Sequence, residues 1–95
     1  MTKILDCTLR DGGHINNWNF SDICVRETLR ACENSAVEYF EAGYNMPQCI
    51  KKSNVKLVIM VDAKNICSVS KNADCVRLAC YPHQISEALD ALEEY

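Results

Sequence analysis

The chain has 95 residues and a formal net charge of −3, with 48% hydrophobic and 24% charged residues. Its length suits one domain, residues 1–95, and its composition is that of a globular protein. Acidic and basic residues are interspersed without a Lys/Arg cluster, which argues against a nucleic-acid surface. No apolar run approaches the roughly 18 residues of a membrane span, and no signal peptide precedes the first predicted strand. The sequence therefore predicts a cytoplasmic protein without nucleic-acid or membrane partners.

The seven cysteines form an odd set without a C-x-x-C pair. Zinc sites usually contain close pairs, and secreted disulfide frameworks usually contain an even number. Most of these cysteines fall at apolar-periodic positions, where free Cys behaves as a small hydrophobe. We interpret them as structural thiols in a reducing cytosol. A cysteine-based metal or redox protein is an alternative that depends on the count alone.

The first predicted strand, residues 3–8, leads directly into a predicted turn at residues 10–14. A polar loop with two aromatic residues follows, and Ser21 or Asp22 can cap the next helix. That helix is predicted to end at Asn34-Ser35. Its buried face is predicted from apolar residues at helical spacing, namely Val25, Leu29, Cys32 and Ala36.

The rest of the chain predicts three more strands and two more helices. The strands are predicted at residues 37–43, 55–61 and 74–81, with a loop at 44–54. The helices are predicted at residues 63–71 and from Ile85 onward. The last is predicted from apolar residues at helical spacing, which are Ile85, Ala88, Leu89 and Leu92. Strands that alternate with helices indicate a parallel α/β sheet, whose sites lie at the carboxyl ends of the strands. The predicted turn lies at the carboxyl end of a strand, and so do three further residues, Glu41, Asp62 and Tyr81.

The residue types in the predicted turn favour chemistry on a keto acid. Asp11 is a hard oxygen ligand for Mg²⁺ or Mn²⁺, Arg10 is a fixed donor for a carboxylate or oxyanion, and His14 can transfer a proton near neutral pH. A purely structural turn remains an alternative, with Arg10 in a salt bridge and Gly12-Gly13 at positive φ. A phosphate cradle lacks the required glycine spacing. A nucleophilic pair of Cys7 and His14 is a further alternative, but nothing else marks Cys7 as activated.

An acid inside a predicted strand has two interpretations. Glu41 can be a solvated residue on an exposed strand face, or it can point into a site at the end of the strand. The residue type and its position do not decide between them.

The opening of the chain resembles that of the DRE-TIM metallolyases over residues 4–13, ILDCTLRDGG. The continuation at residues 14–20, HINNWNF, is most similar to the 4-hydroxy-2-oxovalerate aldolase branch of that superfamily. Weaker similarities follow in family order at residues 40–43, 57–62, 76–79 and 83–85. The resemblance implies a TIM-barrel enzyme that cleaves a 4-hydroxy-2-keto acid to pyruvate and an aldehyde.

The resemblance also implies roles for four residues. Asp11 matches the residue that binds the divalent metal, Mn²⁺ or Mg²⁺, and Arg10 matches the residue that stabilises the pyruvate enolate. His14 matches the acid/base residue, which takes the 4-hydroxyl proton directly or through water. Glu41 matches a strand-end acid that orients the arginine. Some family members work with an aldehyde dehydrogenase partner, and the resemblance allows such a partner here without requiring it.

Two departures from the family weaken the expectation of catalysis. The family's metal site also uses a His-x-His pair, whereas this sequence has only His14 and His83. A TIM barrel has eight strands in about 250 residues, and four are predicted here. We therefore expect the front part of a barrel: a fragment of an enzyme or a degenerate paralogue, with little aldolase activity alone.

The open edges and apolar face of a half-barrel predict self-association as a homo-oligomer. A non-catalytic assembly module that has kept the front half of the barrel is therefore the alternative to a lyase.

Overall fold

The computed structural model describes residues 2–44, 49–50, 53–62 and 73–94. Its sheet contains four parallel strands in the order β1-β2-β3-β4, which are Leu5–Asp6, Tyr39–Gly43, Lys56–Asp62 and Cys75–Ala79. Sequential order of neighbouring parallel strands is the order of a barrel, whereas a doubly wound sheet reverses direction at its centre. The structure thus confirms the predicted α/β fold with four parallel strands and flanking helices.

Three α-helices accompany the sheet, which are α1 (Thr8–Asn16), α2 (Asp22–Asn34) and α3 (Ile85–Glu94). A 3₁₀ turn, Pro82–Gln84, precedes α3. The helix predicted at residues 63–71 lies outside the described residues, as do residues 45–48 and 51–52 of the predicted loop. Within the described ranges, no helix combines the length and apolarity that crossing a bilayer requires.

The hydrophobic core lies between α2 and one face of the sheet. Ser21 caps α2, because its side-chain oxygen accepts a hydrogen bond from the Cys24 amide at 3.1 Å. The core residues of α2 pack against side chains of β2 and β3, and the main members are Val25, Leu29, Cys32, Phe40, Ala42 and Leu57. Ala36 was predicted to continue this face, and that prediction is wrong. The helix ends at Asn34, and Ala36 is exposed at φ 59°.

The segment predicted as a strand and a turn at residues 3–14 is mostly helical. The strand is reduced to β1, because the Asp6 carboxylate accepts hydrogen bonds from the Thr8 amide at 3.1 Å and the Thr8 hydroxyl at 3.0 Å. These bonds start α1 directly after Cys7, and the Asp11 amide then donates to the Cys7 carbonyl at 2.9 Å. Gly12 is therefore helical, and positive φ is not found there.

The apolar face predicted for the last helix is buried at one position. Ala88 is 5% exposed, whereas Ile85, Leu89 and Leu92 are 52%, 57% and 43% exposed. The helix predicted from the spacing of these residues is confirmed as α3, and its main neighbour in the described structure is the 3₁₀ turn before it. An apolar stripe thus remains on the surface of the described structure.

Candidate functional site

A buried carboxylate between two arginines is the centre of the candidate site. Glu41 is 0% exposed. Its Oε1 accepts from Nε of Arg10 at 2.7 Å and from Nη2 of Arg77 at 2.8 Å, and its Oε2 accepts from Nε of Arg77 at 2.7 Å. These are charge-assisted hydrogen bonds, the stronger class in proteins. The interpretation of Glu41 as a solvated face residue is therefore wrong.

The fold brings the three groups together from distant parts of the sequence. Side chains alternate along a strand, and Phe40 of β2 faces the α2 core, so Glu41 points to the opposite face. The parallel pairing of β2 with β3 and of β3 with β4 puts Arg77 on that same face. Arg10 reaches it from the first turn of α1, which packs against β2.

Charge is retained on all three groups of this cluster. Burial raises the pKa of Glu41, but hydrogen bonds from Arg77 and Arg10 outweigh burial and hold that pKa below its ordinary value. The same hydrogen bonds raise the pKa of Arg10 and of Arg77 above that of a free arginine. The cluster is therefore a permanent arrangement of one anion and two cations at neutral pH.

Asp11 and His14 lie on the exposed side of the same helix. An oxygen of Asp11 is 2.5 Å from Nη1 of Arg10, and the Asp11 side chain is 66% exposed. His14 is exposed, and its ring meets the ring of Trp18 edge-to-face at a centroid distance of 4.9 Å. Residues three apart share a helix face, so the carboxylate and the imidazole are presented together.

Trp18 holds this end of α1 in place. Asn17 and Trp18 have φ values of 55° and 58°, and this left-handed pair turns the chain back so that the indole covers the helix. Nε1 of Trp18 donates to the Arg10 carbonyl at 2.9 Å. A Cβ on Gly13 would lie 1.8 Å from the indole, so this contact requires glycine.

The thiol of Cys7 borders the cluster without being activated by it. Burial raises the pKa of Cys7, which outweighs the opposing effect of its hydrogen bond with Arg10. A raised pKa keeps the thiol protonated, and the thiol is a much weaker nucleophile than the thiolate. The residues around Cys7 therefore do not favour nucleophilic catalysis by this side chain.

The described residues do not fit a complete site for a divalent metal ion. Within residues 2–44, 49–50, 53–62 and 73–94, no three His, Cys, Asp or Glu side chains are close enough to share an ion. Asp11 offers one carboxylate, and that carboxylate already pairs with Arg10. Mg²⁺ and Mn²⁺ need several oxygen or nitrogen ligands, so any remaining ligands must come from elsewhere.

The site groups Arg10 with Glu41, and it places Asp11 and His14 on the exposed side of α1. Asp62 and Tyr81, which were predicted at strand ends, are exposed and outside this cluster. The sequence patterns predicted no role for two residues that form part of the site, Arg77 and Trp18. Arg77 could have been noticed as a charge inside an apolar strand, and Trp18 as the one tryptophan next to a glycine pair.

Comparisons with known proteins agree with the resemblance. No protein-family model matches the chain. A segment of 42 residues, 44% of the chain, is 40% identical to 4-hydroxy-2-oxovalerate aldolase 6 of Rhodococcus jostii and covers 12% of that protein. The fold is similar to the crystal structure of the N-terminal domain of a putative aldolase from Bacteroides vulgatus. The TM-score is 0.79 and the identity 28%, over 98% of this chain and 41% of that one.

The chain thus spans less than half of the solved relative. It resembles the N-terminal domain of an aldolase in fold and, over part of its length, a 4-hydroxy-2-oxovalerate aldolase in sequence. Together the two findings confirm the resemblance that residues 4–20 predicted.

Proposed function

We propose that this chain carries the enolate-stabilising part of an aldolase site. The proposed reaction is retro-aldol cleavage of a 4-hydroxy-2-keto acid to pyruvate and an aldehyde. The observation that supports this most strongly is the hydrogen bond of 2.7 Å between Arg10 and the buried Glu41, on the face of the sheet opposite the core. The likeness to an aldolase domain supports the same reaction class.

Arg10 is proposed to stabilise the enolate. When the C3–C4 bond of the substrate breaks, its electron pair moves toward C2 and negative charge develops on the keto oxygen. A guanidinium that is already held in place stabilises that charge without reorganising. Arg10 is 16% exposed, so it is shielded from water but still accessible to a ligand.

His14 is proposed as the group that takes the proton from the 4-hydroxyl, directly or through water. Its imidazole is exposed, three residues after Asp11 on the same helix, and its ring contacts Trp18. Histidine is suited to proton transfer near neutral pH. Trp18 limits the motion of this ring, which helps to keep it at one position.

A divalent ion, Mn²⁺ or Mg²⁺, remains a prediction with Asp11 as its predicted ligand. No group of three potential ligands occurs in the part of the chain that the structure describes. Because the described ligand set is incomplete, we expect the 95-residue chain alone to release little pyruvate. A clear metal-dependent release of pyruvate from 4-hydroxy-2-oxovalerate, measured with a coupled lactate dehydrogenase assay, would overturn that expectation.

Enolisation of pyruvate tests the proposal more directly than cleavage does. Deuterium exchange into the pyruvate methyl group in D₂O with Mg²⁺, followed by proton NMR, measures enolate formation alone. We expect exchange above the protein-free background, and a loss of about tenfold or more in Arg10→Lys because the oriented guanidinium is absent. Arg30→Lys, at an exposed position on α2, is the matched control. Equal exchange in the original chain and Arg10→Lys would contradict the proposal.

A non-catalytic assembly module is the second candidate function. The exposed apolar residues Ile85, Leu89 and Leu92 on α3 favour it, because clustered surface apolar groups mark interaction sites. Exchange at the protein-free background, together with stable self-association, would favour this function over the lyase.

The proposed location is the cytoplasm. The six cysteines among the described residues, which are Cys7, Cys24, Cys32, Cys49, Cys75 and Cys80, are free thiols. Free thiols in this number are typical of a reducing compartment.

A further inference from the structure

Arg77 has more binding capacity than its contact with Glu41 uses. Its Nε and Nη2 bind the two oxygens of Glu41 at 2.7 and 2.8 Å. Its Nη1 has no acceptor in the described part of the chain. A guanidinium presents its donors as a planar fork that can bind carboxylates on more than one edge, so one edge of Arg77 is structural and another can take a ligand.

Arg77 also shares its acidic partner with Arg10. Arg10 pairs with Asp11 as well as with Glu41, whereas Glu41 is the one acid that contacts Arg77 among the described residues. Glu41 therefore contacts both guanidinium groups, whereas Asp11 contacts that of Arg10. Neutralising Glu41 requires one arginine, so its burial alone does not explain both.

Arg77 is accessible as well as ordered. Its side chain is 41% exposed, whereas that of Arg10 is 16% exposed and that of Glu41 is 0% exposed. Nη2 of Arg77 and Nε of Arg10 lie within hydrogen-bonding distance of the same Glu41 oxygen. An anion bound at Arg77 would therefore join the cluster that contains Arg10, the group proposed to stabilise the enolate.

We propose that Arg77 is a second carboxylate-binding residue of this site, which holds the C1 carboxylate of a 2-keto acid while Arg10 faces its keto oxygen. This inference rests on the proposed function and names a further binding residue for it. Glu41 then orients both arginines, because its Oε1 accepts from Arg10 and Arg77 and its Oε2 accepts from Arg77. We therefore expect the site to favour 2-keto acids over neutral keto compounds, which lack the carboxylate that Arg77 binds.

Binding of pyruvate to the 95-residue chain without added metal tests this inference. The probes are pyruvate and its neutral analogue pyruvamide, followed by the shifts of arginine Nε–H signals in proton–nitrogen NMR spectra. We expect saturable shifts with pyruvate and none with pyruvamide. Similar binding of the two compounds would overturn the inference.

Variants locate the carboxylate contact. We expect Arg77→Gln to raise the pyruvate Kd about tenfold, the size of one lost charge-assisted contact, and Arg77→Lys to recover part of it. The control Arg30→Gln, at a 67% exposed side chain, should leave the Kd unchanged. An unchanged Kd in Arg77→Gln would overturn the inference. If circular dichroism shows that Arg77→Gln is unfolded, Arg77→Lys takes its place in the test. An unchanged Kd in Arg77→Lys would then overturn the inference.

The two proposals fail in different ways. Pyruvate binding that needs Arg77, without deuterium exchange, supports the inference and contradicts the proposed lyase chemistry. Exchange that needs Arg10, with binding independent of Arg77, supports the lyase chemistry and overturns the inference.

Discussion

Glu41 shows how a single residue can organise a charged cluster inside a small sheet. An isolated buried carboxylate is strongly unfavourable, and proteins tolerate one only when it is paired and hydrogen bonded. Glu41 accepts three hydrogen bonds, two from Arg77 and one from Arg10. Removing its charge leaves two guanidinium groups without the buried anion that they share, and Arg10 then keeps only the exposed Asp11.

We predict that Glu41→Gln lowers the free energy of unfolding by about 3 kcal/mol at neutral pH, near the lower end for a broken buried pair because both arginines are partly solvated. Urea unfolding followed by circular dichroism measures this. The carboxylate of Glu27 makes an exposed pair with Arg30 at 3.5 Å. The control Glu27→Gln should therefore change the free energy of unfolding by less than about 0.5 kcal/mol. Equal effects of the two substitutions would contradict the prediction.

The same residue predicts a pH dependence. The pKa of Glu41 is lower in the folded chain than its ordinary value, so its contribution is complete above that ordinary value, about 4.3. The contribution is lost as pH falls through the folded pKa. We expect the original chain to lose stability below about pH 4.3 and Glu41→Gln to show a flatter profile there. An acid titration of unfolding free energies measures both.

At the scale of one element, α1 forms against the local preference of its own sequence. Gly12 and Gly13 each disfavour a helix by about 1 kcal/mol relative to Ala. The Asp6 carboxylate starts the helix, and Trp18 covers its last turn. Trp18 is itself held by the Arg10 carbonyl and by the Tyr44 ring at 5.1 Å, so the indole cannot easily move aside for a side chain at Gly13.

The two glycines should therefore respond oppositely to alanine. We predict that Gly13→Ala destabilises the chain by about 2 kcal/mol through overpacking against Trp18. Gly12→Ala should stabilise by roughly 0.5–1 kcal/mol, because a Cβ there meets Phe20 at an ordinary 3.5 Å and the helix gains propensity. Urea unfolding measures both variants. Similar stabilities for the two would argue against the position of the indole.

The contrast between elements shows what sequence patterns can predict. The apolar run of β3 and the periodic face of α2 are local signals, and both elements lie where they were predicted, within one residue at each end of the strand. α1 was missed because its glycines suggested a turn, and because the contact that favours the helix comes from Trp18. Arg77 was missed because its partner lies 36 residues away.

At the scale of the whole molecule, the described structure has an open sheet with an apolar surface beside it. β1 and β4 are the outer strands, and β1 contains two residues. Three exposed apolar residues of α3, Ile85, Leu89 and Leu92, recur at helical spacing and form a stripe. Open edges and apolar patches promote association between chains.

We predict that the 95-residue chain self-associates at micromolar concentration through the α3 stripe. Leu89→Lys should shift the distribution toward the monomer by about tenfold in Kd, because it removes apolar contact area and buries a charge. Light scattering after size exclusion measures this. Ile23→Lys, a 68% exposed apolar position on α2, is the control and should leave the distribution unchanged. A monomer at high micromolar concentration would contradict the prediction.

Trp18 makes the site visible without a label. It is the one tryptophan of the chain, and its indole lies against His14, Gly13, Tyr44 and the Arg10 carbonyl. Emission excited at the red edge of its absorption therefore originates from a single place, the side of α1 that presents the proposed proton carrier. Ligands, ions and substitutions at the cluster can thus be screened by intrinsic fluorescence, and the spectrum of each variant shows whether α1 keeps its position.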